Sequence, residues 1–508
     1  MRRDSHTESP WQQALSEAPG ENSSADPDKI YDTIIIGGGI TGVTAAFLLQ
    51  RAGQSCVLIE QGNIGFGTTG GTTAHLNTFF DATYPEIESD FSPDTAKKVA
   101  KAGKEAFGLI RGLIEGHHID CDFENKNGYL YAENNKEDKQ LQKILKASRK
   151  AGVAVTEADQ NGLPIPFKSV LLFKEQAQFH PLKYISGLAK EFIRLGGILL
   201  EHTFVEKTLM EFGIHTAMFS GGKLKSKSLI HATHIPPGIN ILNLRCAPYR
   251  SYVLAVRLED DHYPSDLVYD MQEPYHYFRT HLIGGQKHLI VGGEDHKTGH
   301  ADPEKAFENL ESYVRKYYKV AAVAYRWSSQ YYVPVDGLPY IGQLPDAPDK
   351  TYAATGFNGN GMIFGTLSAQ LISDQILGKK NPYKDLFDPM RMKPLAGFTA
   401  FVKENADVAW HFIADRFSKE ELKSLAALKP EQGIVGTFRG KKIAVYKNTA
   451  GELSALSPVC THAGCTVKFN EIEKSWDCPC HGGRYDTDGK VLNGPPLKNL
   501  KAIPLDNL

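Results

Sequence analysis

Apolar and polar positions fall into three regimes along the chain. Tyr31–Ile36 is a short apolar run that ends in glycines, and Cys56–Ile59 is a second such run ending in Glu60. Both read as fully buried strands. Between them, Val43–Leu49 is apolar at helical spacing, so the segment predicts one β-α-β unit. Helix-period patterns follow over residues 92–116, 136–150 and 181–195; the charge run of the second marks a solvated face. A strand is predicted at 198–200 and strands dominate from Leu224 to Gly293. A strand at Tyr352–Thr355 then runs into a long helix over 361–377, stopped by Gly378-Lys379-Lys380-Asn381-Pro382. Residues 383–428 read as a helical connector. From 429 onward the pattern changes to short strands with turns at Asn448-Thr449-Ala450-Gly451 and Asp486-Thr487-Asp488-Gly489, which puts a domain boundary near Lys429-Pro430.

The first 29 residues are polar and read as a flexible leader, most clearly over 16–29. They lack the apolar core of a secretory signal, so a cytoplasmic location is expected. The chain has 508 residues, 41% hydrophobic and 23% charged, with net charge -2. That excludes a disordered chain and gives no electrostatic case for nucleic acid. No apolar stretch of about 18 residues is present, so no membrane span is expected.

Gly37-Gly38-Gly39-Ile40-Thr41-Gly42 fits G-x-G-x-x-G directly after a strand and at the start of a helix, with Glu60 closing the next strand. That context makes it a dinucleotide cradle. Gly37 suits the tight turn, Gly39 the approach of a pyrophosphate, and Gly42 the packing of helix on strand. The helix N-terminus at Ile40 and Thr41 offers N–H donors. Glu60, followed by Gln61, is placed to accept from ribose hydroxyls. Two further stretches favour FAD over NAD. The small, hydroxyl-rich loop Gly65–His75, with Gly67, Thr68, Thr69, Thr73 and His75, can pass close to a second phosphate and a flavin ring. Far downstream, Gly356-Phe357-Asn358-Gly359-Asn360-Gly361-Met362 again leads from a strand through glycines into a helix, whose N–H groups suit the negative edge of a reduced flavin.

Four of the seven cysteines fall within residues 460–480. Cys460-x-His462 and Cys478-x-x-His481 each offer a thiolate and an imidazole. Two such loops suit a [2Fe–2S] cluster with Cys on one iron and His on the other. A structural zinc site takes the same donor types, usually at another spacing.

Over residues 30–380 these motifs, with Gly196-Gly197-Ile198, His231-Ala232-Thr233-His234 and Asp336–Gly342, resemble the FAD-dependent amine and amino-acid oxidoreductases of the D-amino-acid oxidase type. The resemblance implies an α/β FAD-binding Rossmann-like domain over 30–382 with an interleaved mixed-sheet substrate domain, mainly 85–180 and 240–330. It also implies that Val205 holds adenine through its backbone. In some relatives a histidine after a similar Gly-Thr-Thr stretch carries FAD covalently, which leaves His75 as a covalent link, a contact or a packed side chain. Residues 429–508 resemble an all-β Rieske [2Fe–2S] domain. By position, Cys460 and Cys478 then hold the buried iron and His462 and His481 the exposed one. Cys465 and Cys480 match the disulfide pair, Tyr485 the tyrosine on a ligand sulfur, and Gly494-Pro495-Pro496 the loop over the cluster. Gly483 departs from the serine of high-potential members.

The combination resembles a bacterial family of FAD–Rieske fusions. It implies oxidation of a C–N bond in a small amine or amino acid, by a dehydrogenase rather than an oxidase. Electrons then pass singly through the His462/His481 edge to an external one-electron carrier. Reversed flow from donor to cluster to FAD, and a non-enzymatic redox-sensing or interaction protein, are the alternatives. Candidate substrate contacts come from the strand-rich segment. Arg250 and Arg279 suit a carboxylate, Tyr252 and Tyr277 add hydrogen bonds, and His296 or His276 takes a proton. Each fits an exposed strand position or part of a turn as well.

Overall fold

The computed structural model describes residues 3–13, 24–391 and 425–505. The helical connector falls largely on 392–424, outside the described residues.

Parallel pairing organises the first sheet. Thr351–Thr355, Gly222–His231, Ile30–Ile36, Cys56–Ile59 and Ile198–Leu200 lie side by side in that order, all parallel, with Tyr340–Gln343 antiparallel on one edge. Ile30–Ile36 and Cys56–Ile59, at the centre of this sheet, are near-continuous apolar runs and almost wholly buried. The helices Ile40–Arg51 and Gly361–Ile376 pack against each other over this sheet, their buried faces meeting in the main core. Predicted helices appear at Pro93–Gly116, Asn135–Ala151 and Pro181–Arg194. The first begins where Ser92 accepts from the Thr95 N–H, the second where Asn134 caps Lys136 and Glu137.

The second sheet is mixed. Its order is Val320–Pro334, Cys246–Leu258, Gln286–Lys297, Tyr277–Ile283, Leu267–Asp270, Glu124–Ala132, Ser169–Gln178 and His75–Leu76. The pairing of Cys246–Leu258 with Gln286–Lys297 slips by one residue: Arg250 faces His296, but Tyr252 faces Gly293. The surplus residue forms a bulge at Glu294, whose φ is +56°. A bulge re-aims the side chains beside it, and here it carries Asp295 to one end of the sheet.

The C-terminal domain is two small antiparallel sheets, Gly433–Phe438 with Lys441–Lys447 and Leu453–Leu456, and Lys468–Asn470 with Ser475–Asp477, Arg484–Tyr485 and Val491–Asn493. Its seam with the rest of the chain is polar and buried. Glu473 accepts from the Ser328 and Ser5 hydroxyls and the His6 N–H, and lies 3.7 Å from the Arg250 guanidinium. Arg484 binds Asp477 and Asp4, and Arg3 donates to the Ser328 carbonyl at 2.7 Å.

Residues 3–13 therefore correct the expected flexible leader. Arg3, Asp4, Ser9 and Trp11 are buried, and the Trp11 indole donates to the Thr72 carbonyl. The segment is polar because it meets a polar seam, not because it faces water. No helix among the described residues is long and apolar enough to cross a membrane.

Candidate active site and metal centre

The glycine cradle opens a cavity. It is lined by Gly37, Gly39, Ile40, Thr41, Glu60, Gln61, Gly67, Thr68, Thr69 and Val205, all singled out by their sequence context. Gly37 has φ +108°, and a Cβ there would sit 2.4 Å from the Ala232 carbonyl oxygen. Gly42 lines no cavity; a Cβ on it would stand 1.8 Å from the Gly37 oxygen, so its role is close packing of helix on strand. The N-cap, Gly39, supplies no side chain to the first helical N–H groups, which leaves donors and the positive helix end for an anion. Thr69 Oγ1 accepts from the Ile40 N–H at 3.1 Å, tying the hydroxyl-rich loop to this helix.

Glu60 is buried and already accepts from the Gly38 and Gly62 N–H groups at 2.6 and 2.8 Å. Burial still pushes its carboxyl up to about 7 against those donors, so it is short of positive or hydroxyl partners, as a ribose-binding acid should be. Gln61 donates to the Leu492 carbonyl at 2.7 Å. Leu492, Asn493, Gly494 and Pro496 close this cavity from the C-terminal domain, so the two domains share its wall.

A second cavity continues from the first through Thr68 and His234, which line both. Two joined chambers, one beside a phosphate cradle, suit an extended dinucleotide with a ring system at its far end. Thr73, His75, Gly359, Gly361 and Met362 line this chamber as expected. Gly356 does not: its φ is +75° and a Cβ there would press on Pro334 and Cys246. Asn360 caps the Gly361–Ile376 helix without a side-chain bond to it, leaving that N-terminus open toward the chamber. His75 Nε2 is buried and without a hydrogen-bond partner, with the Tyr269 and Tyr277 rings edge-on to it at 5.2 and 5.6 Å. Burial, then the nearby Arg279 charge, holds this imidazole neutral.

In the C-terminal domain two tight loops converge. Cys460 N–H donates to the Cys465 carbonyl and Cys478 N–H to the Gly483 carbonyl, both at 2.8 Å. The Cys460 and Cys478 thiols are free and buried, and the His462 and His481 rings lie 4.9 Å apart. Both ring nitrogens of His481 are buried with no partner. His462 Nε2 sits 3.2 Å from the Gly238 carbonyl, so Nδ1 is its available ligand atom. Orphaned imidazole nitrogens beside two buried thiols fit a cluster held by two Cys and two His. The sulfurs of Cys465, Cys478 and Cys480 also group closely, but Cys465 and Cys480 are joined as a disulfide, so only Cys478 of the three offers a thiolate. Tyr485 OH lies 3.2 Å from Cys460 Sγ, where its hydroxyl can donate to a ligand sulfur.

Comparison with known proteins agrees with both halves. The family described as FAD dependent oxidoreductase matches residues 32–375, and the Rieske [2Fe-2S] domain matches residues 421–504. The Bacillus subtilis (strain 168) protein YhfW, named as a Rieske 2Fe-2S iron-sulfur protein, is 32% identical over 94% of both chains. Gamma-glutamylputrescine oxidoreductase of Escherichia coli (strain K12) is 23% identical over 72% of this chain and 88% of its own. The crystal structure of glycine oxidase from Geobacillus kaustophilus shares the fold at TM-score 0.59, with 19% identity over 71% of this chain and 99% of that one.

The chain belongs to the FAD-dependent oxidoreductase family.

It binds FAD in the oxidoreductase domain and a [2Fe–2S] cluster in the Rieske domain. In this flavoprotein the ring chamber, not the strand-rich segment as a whole, is the candidate active site. Of the six candidate substrate contacts only Tyr277 lines it. Arg250, Tyr252 and His296 line a separate cavity against the Rieske domain. There Arg250 donates to Ser328 and faces Glu473, while Tyr252 OH meets His296 Nε2 at 3.1 Å. Arg279 is a strut: its guanidinium donates to the Thr73, Ala74 and Phe179 carbonyls and to His281, under the Trp11 ring. His276 is held by Asp270 at 2.7 Å and stacks on Tyr313.

What sequence reasoning missed in the chamber is Asp81, Tyr269 and Tyr331; Tyr275 and Asp295 fall in the same candidate stretches as Tyr277 and His296, without a role of their own. A signal for Asp295 was present, since Gly292-Gly293 inside a strand marks a bulge. The expected exposed edge of the cluster is also corrected. His481 is only 6% exposed, because the Rieske domain turns its histidine loops toward the flavin domain.

Proposed function

We propose that this flavoprotein oxidises a carbon–nitrogen bond of an amine or amino acid, as a dehydrogenase, and sends the electrons singly through its Rieske cluster to an external one-electron carrier. The observation that carries this reading is a single strand, Val320–Pro334, touching both sites. Tyr331 and Gln330 line the ring chamber. Gln330 Nε2 also donates to the Gly482 carbonyl at 2.9 Å, and Tyr332 OH to the His481 carbonyl at 3.1 Å. Thr68 Oγ1 donates to the Gln330 carbonyl at 2.8 Å, and His234 packs its ring edge-on to Tyr332 at 4.7 Å. When bound, FAD supplies two-electron oxidation of the substrate and the cluster takes electrons one at a time.

The residues themselves orient and seal. Gln330 and Tyr332 hold the His481 loop against the chamber wall, and Gly482, at φ +71°, is the residue that lets it approach; a Cβ there would meet Pro248 and both of those side chains. His75 and the tyrosines wall the chamber from water. The names of two relatives, for γ-glutamylputrescine and glycine, support a carbon–nitrogen bond as the point of attack.

Anaerobic titration of the purified holoprotein with amines and amino acids tests this, with absorption and electron paramagnetic resonance read on the same samples. Flavin bleaching followed by the signal of a reduced cluster is the expected result. Flavin bleaching with the cluster left oxidised would remove the relay. Rapid bleaching by NAD(P)H alone would establish the reversed flow instead.

A further inference from the structure

We infer that the ring chamber selects a cationic amine with no carboxylate on the carbon that is oxidised. This names the substrate class of the site proposed above and rests on that reading. An α-amino acid brings a carboxylate next to the reacting carbon, and a buried carboxylate calls for a guanidinium or ammonium partner. Among the described residues lining this chamber there is no lysine or arginine. The nearby guanidiniums are committed elsewhere, Arg279 to backbone carbonyls behind the chamber, and Arg250 and Arg3 to the seam with Glu473 and Ser328.

The charge that the chamber does carry is negative. Asp295, swung in by the Glu294 bulge, accepts from Tyr331 OH at 2.8 Å through Oδ2, while Oδ1 is enclosed and makes no hydrogen bond. Asp81 accepts from the Gly359 N–H at 2.7 Å and completes the pair. The aromatic walls suit the same ligand: Tyr275 and Tyr277 present rings 5.7 Å apart, and ring faces attract ammonium groups. Burial pushes the Asp295 carboxyl up to about 7 despite Tyr331 and Ser251 beside it. Neither Asp295 nor Asp81 has a lysine or arginine partner among the residues lining the chamber. A substrate ammonium would supply one, whereas a substrate carboxylate would meet like charge.

The test uses the holoprotein, kept anaerobic, and pairs that differ only in the α-carboxylate: putrescine with ornithine, and tyramine with tyrosine. The amine of at least one pair is expected to reduce the flavin at least tenfold more efficiently than its amino acid. Independently of turnover, tetramethylammonium is expected to perturb the flavin absorption at lower concentration than benzoate. Asp295→Asn should weaken both amine reduction and tetramethylammonium binding by tenfold or more, with flavin and iron content unchanged. Better reduction by the amino acids, or tighter binding of benzoate, overturns the inference while leaving C–N oxidation standing. If no member of any pair reduces the flavin, the oxidation reading fails, and the tetramethylammonium–benzoate comparison still decides the charge preference. Should Asp295→Asn not fold, the unmodified protein gives both comparisons.

Discussion

Two buried carboxylates, Glu473 at the domain seam and Asp295 in the ring chamber, have opposite fates. Burial alone would raise both. At Glu473 the guanidiniums of Arg250, Arg484 and Arg3 outweigh burial and hold the carboxyl at about 2; at Asp295, where no guanidinium faces the carboxyl and His276 is a lesser influence, burial wins, at about 7. A satisfied buried charge acts as a fastener between domains, and an unsatisfied one marks a place where the protein is incomplete without its ligand. The seam is accordingly assigned to structure and the chamber to chemistry, although the seam holds Arg250, Tyr252 and His296, residue types that a sequence reading associates with a substrate.

The sharpest way to break this contrast is Glu473→Gln. It leaves the three guanidiniums short of a counter-charge in a dry seam, and breaking such a pair costs on the order of 3–5 kcal/mol. Chemical unfolding should show a loss of that size. A loss under about 1 kcal/mol would mean that the seam is no fastener.

The same group predicts a pH dependence. The Glu473 carboxyl falls from an ordinary 4.5 to about 2 on folding, so its contribution is complete above about pH 4.5 and is lost as pH falls through about 2. The groups facing it are Arg3, Arg250 and Arg484, with Asp4 and Asp477 behind Arg484. The integral of such a shift is on the order of 3 kcal/mol. Stability measured from pH 6 down to pH 2 should fall by about that more in the parent than in Glu473→Gln; equal acid limbs would contradict the assignment.

A smaller effect sharpens the link between the two regions. Tyr332→Phe deletes one hydrogen bond to the His481 carbonyl, worth about 1 kcal/mol. It should slow the arrival of electrons at the cluster in rapid-mixing experiments, and alter the cluster's paramagnetic signal, while leaving substrate reduction of the flavin as it was. Unchanged transfer would show that the strand does no more than pack.

The smallest expected change is at Gly483. A Cβ there would lie 3.6 Å from Cys460 Sγ but 2.9 Å from the Pro496 ring. Gly483→Ser should raise the cluster midpoint by bringing a hydroxyl to the sulfurs, with a local shift of the proline loop. An unchanged or lowered midpoint in a redox titration would show that the missing serine donor does not set the potential.

The cradle and the cluster loops were legible because each is a short stretch whose residue types the chemistry restricts. Gly37–Gly42 works within one turn, and Cys460, His462, Cys478 and His481 sit on two tight loops. The leader was misread because polarity alone cannot tell a solvated segment from one buried against opposite charges. Arg3 and Asp4 find theirs more than 300 residues away, on the Ser328 carbonyl and Arg484.

The sequence by itself determined the two cofactor classes, the parallel sheet beneath the first, and the donor set offered to the second, since backbone geometry and donor chemistry are written locally. The tertiary structure alone decided which candidate side chains share the ring chamber. Strand periodicity says which residues share a face, but not what stands opposite that face. One inserted residue at Glu294 brought Asp295 into the chamber, and the docking of the Rieske domain claimed Arg250 for itself.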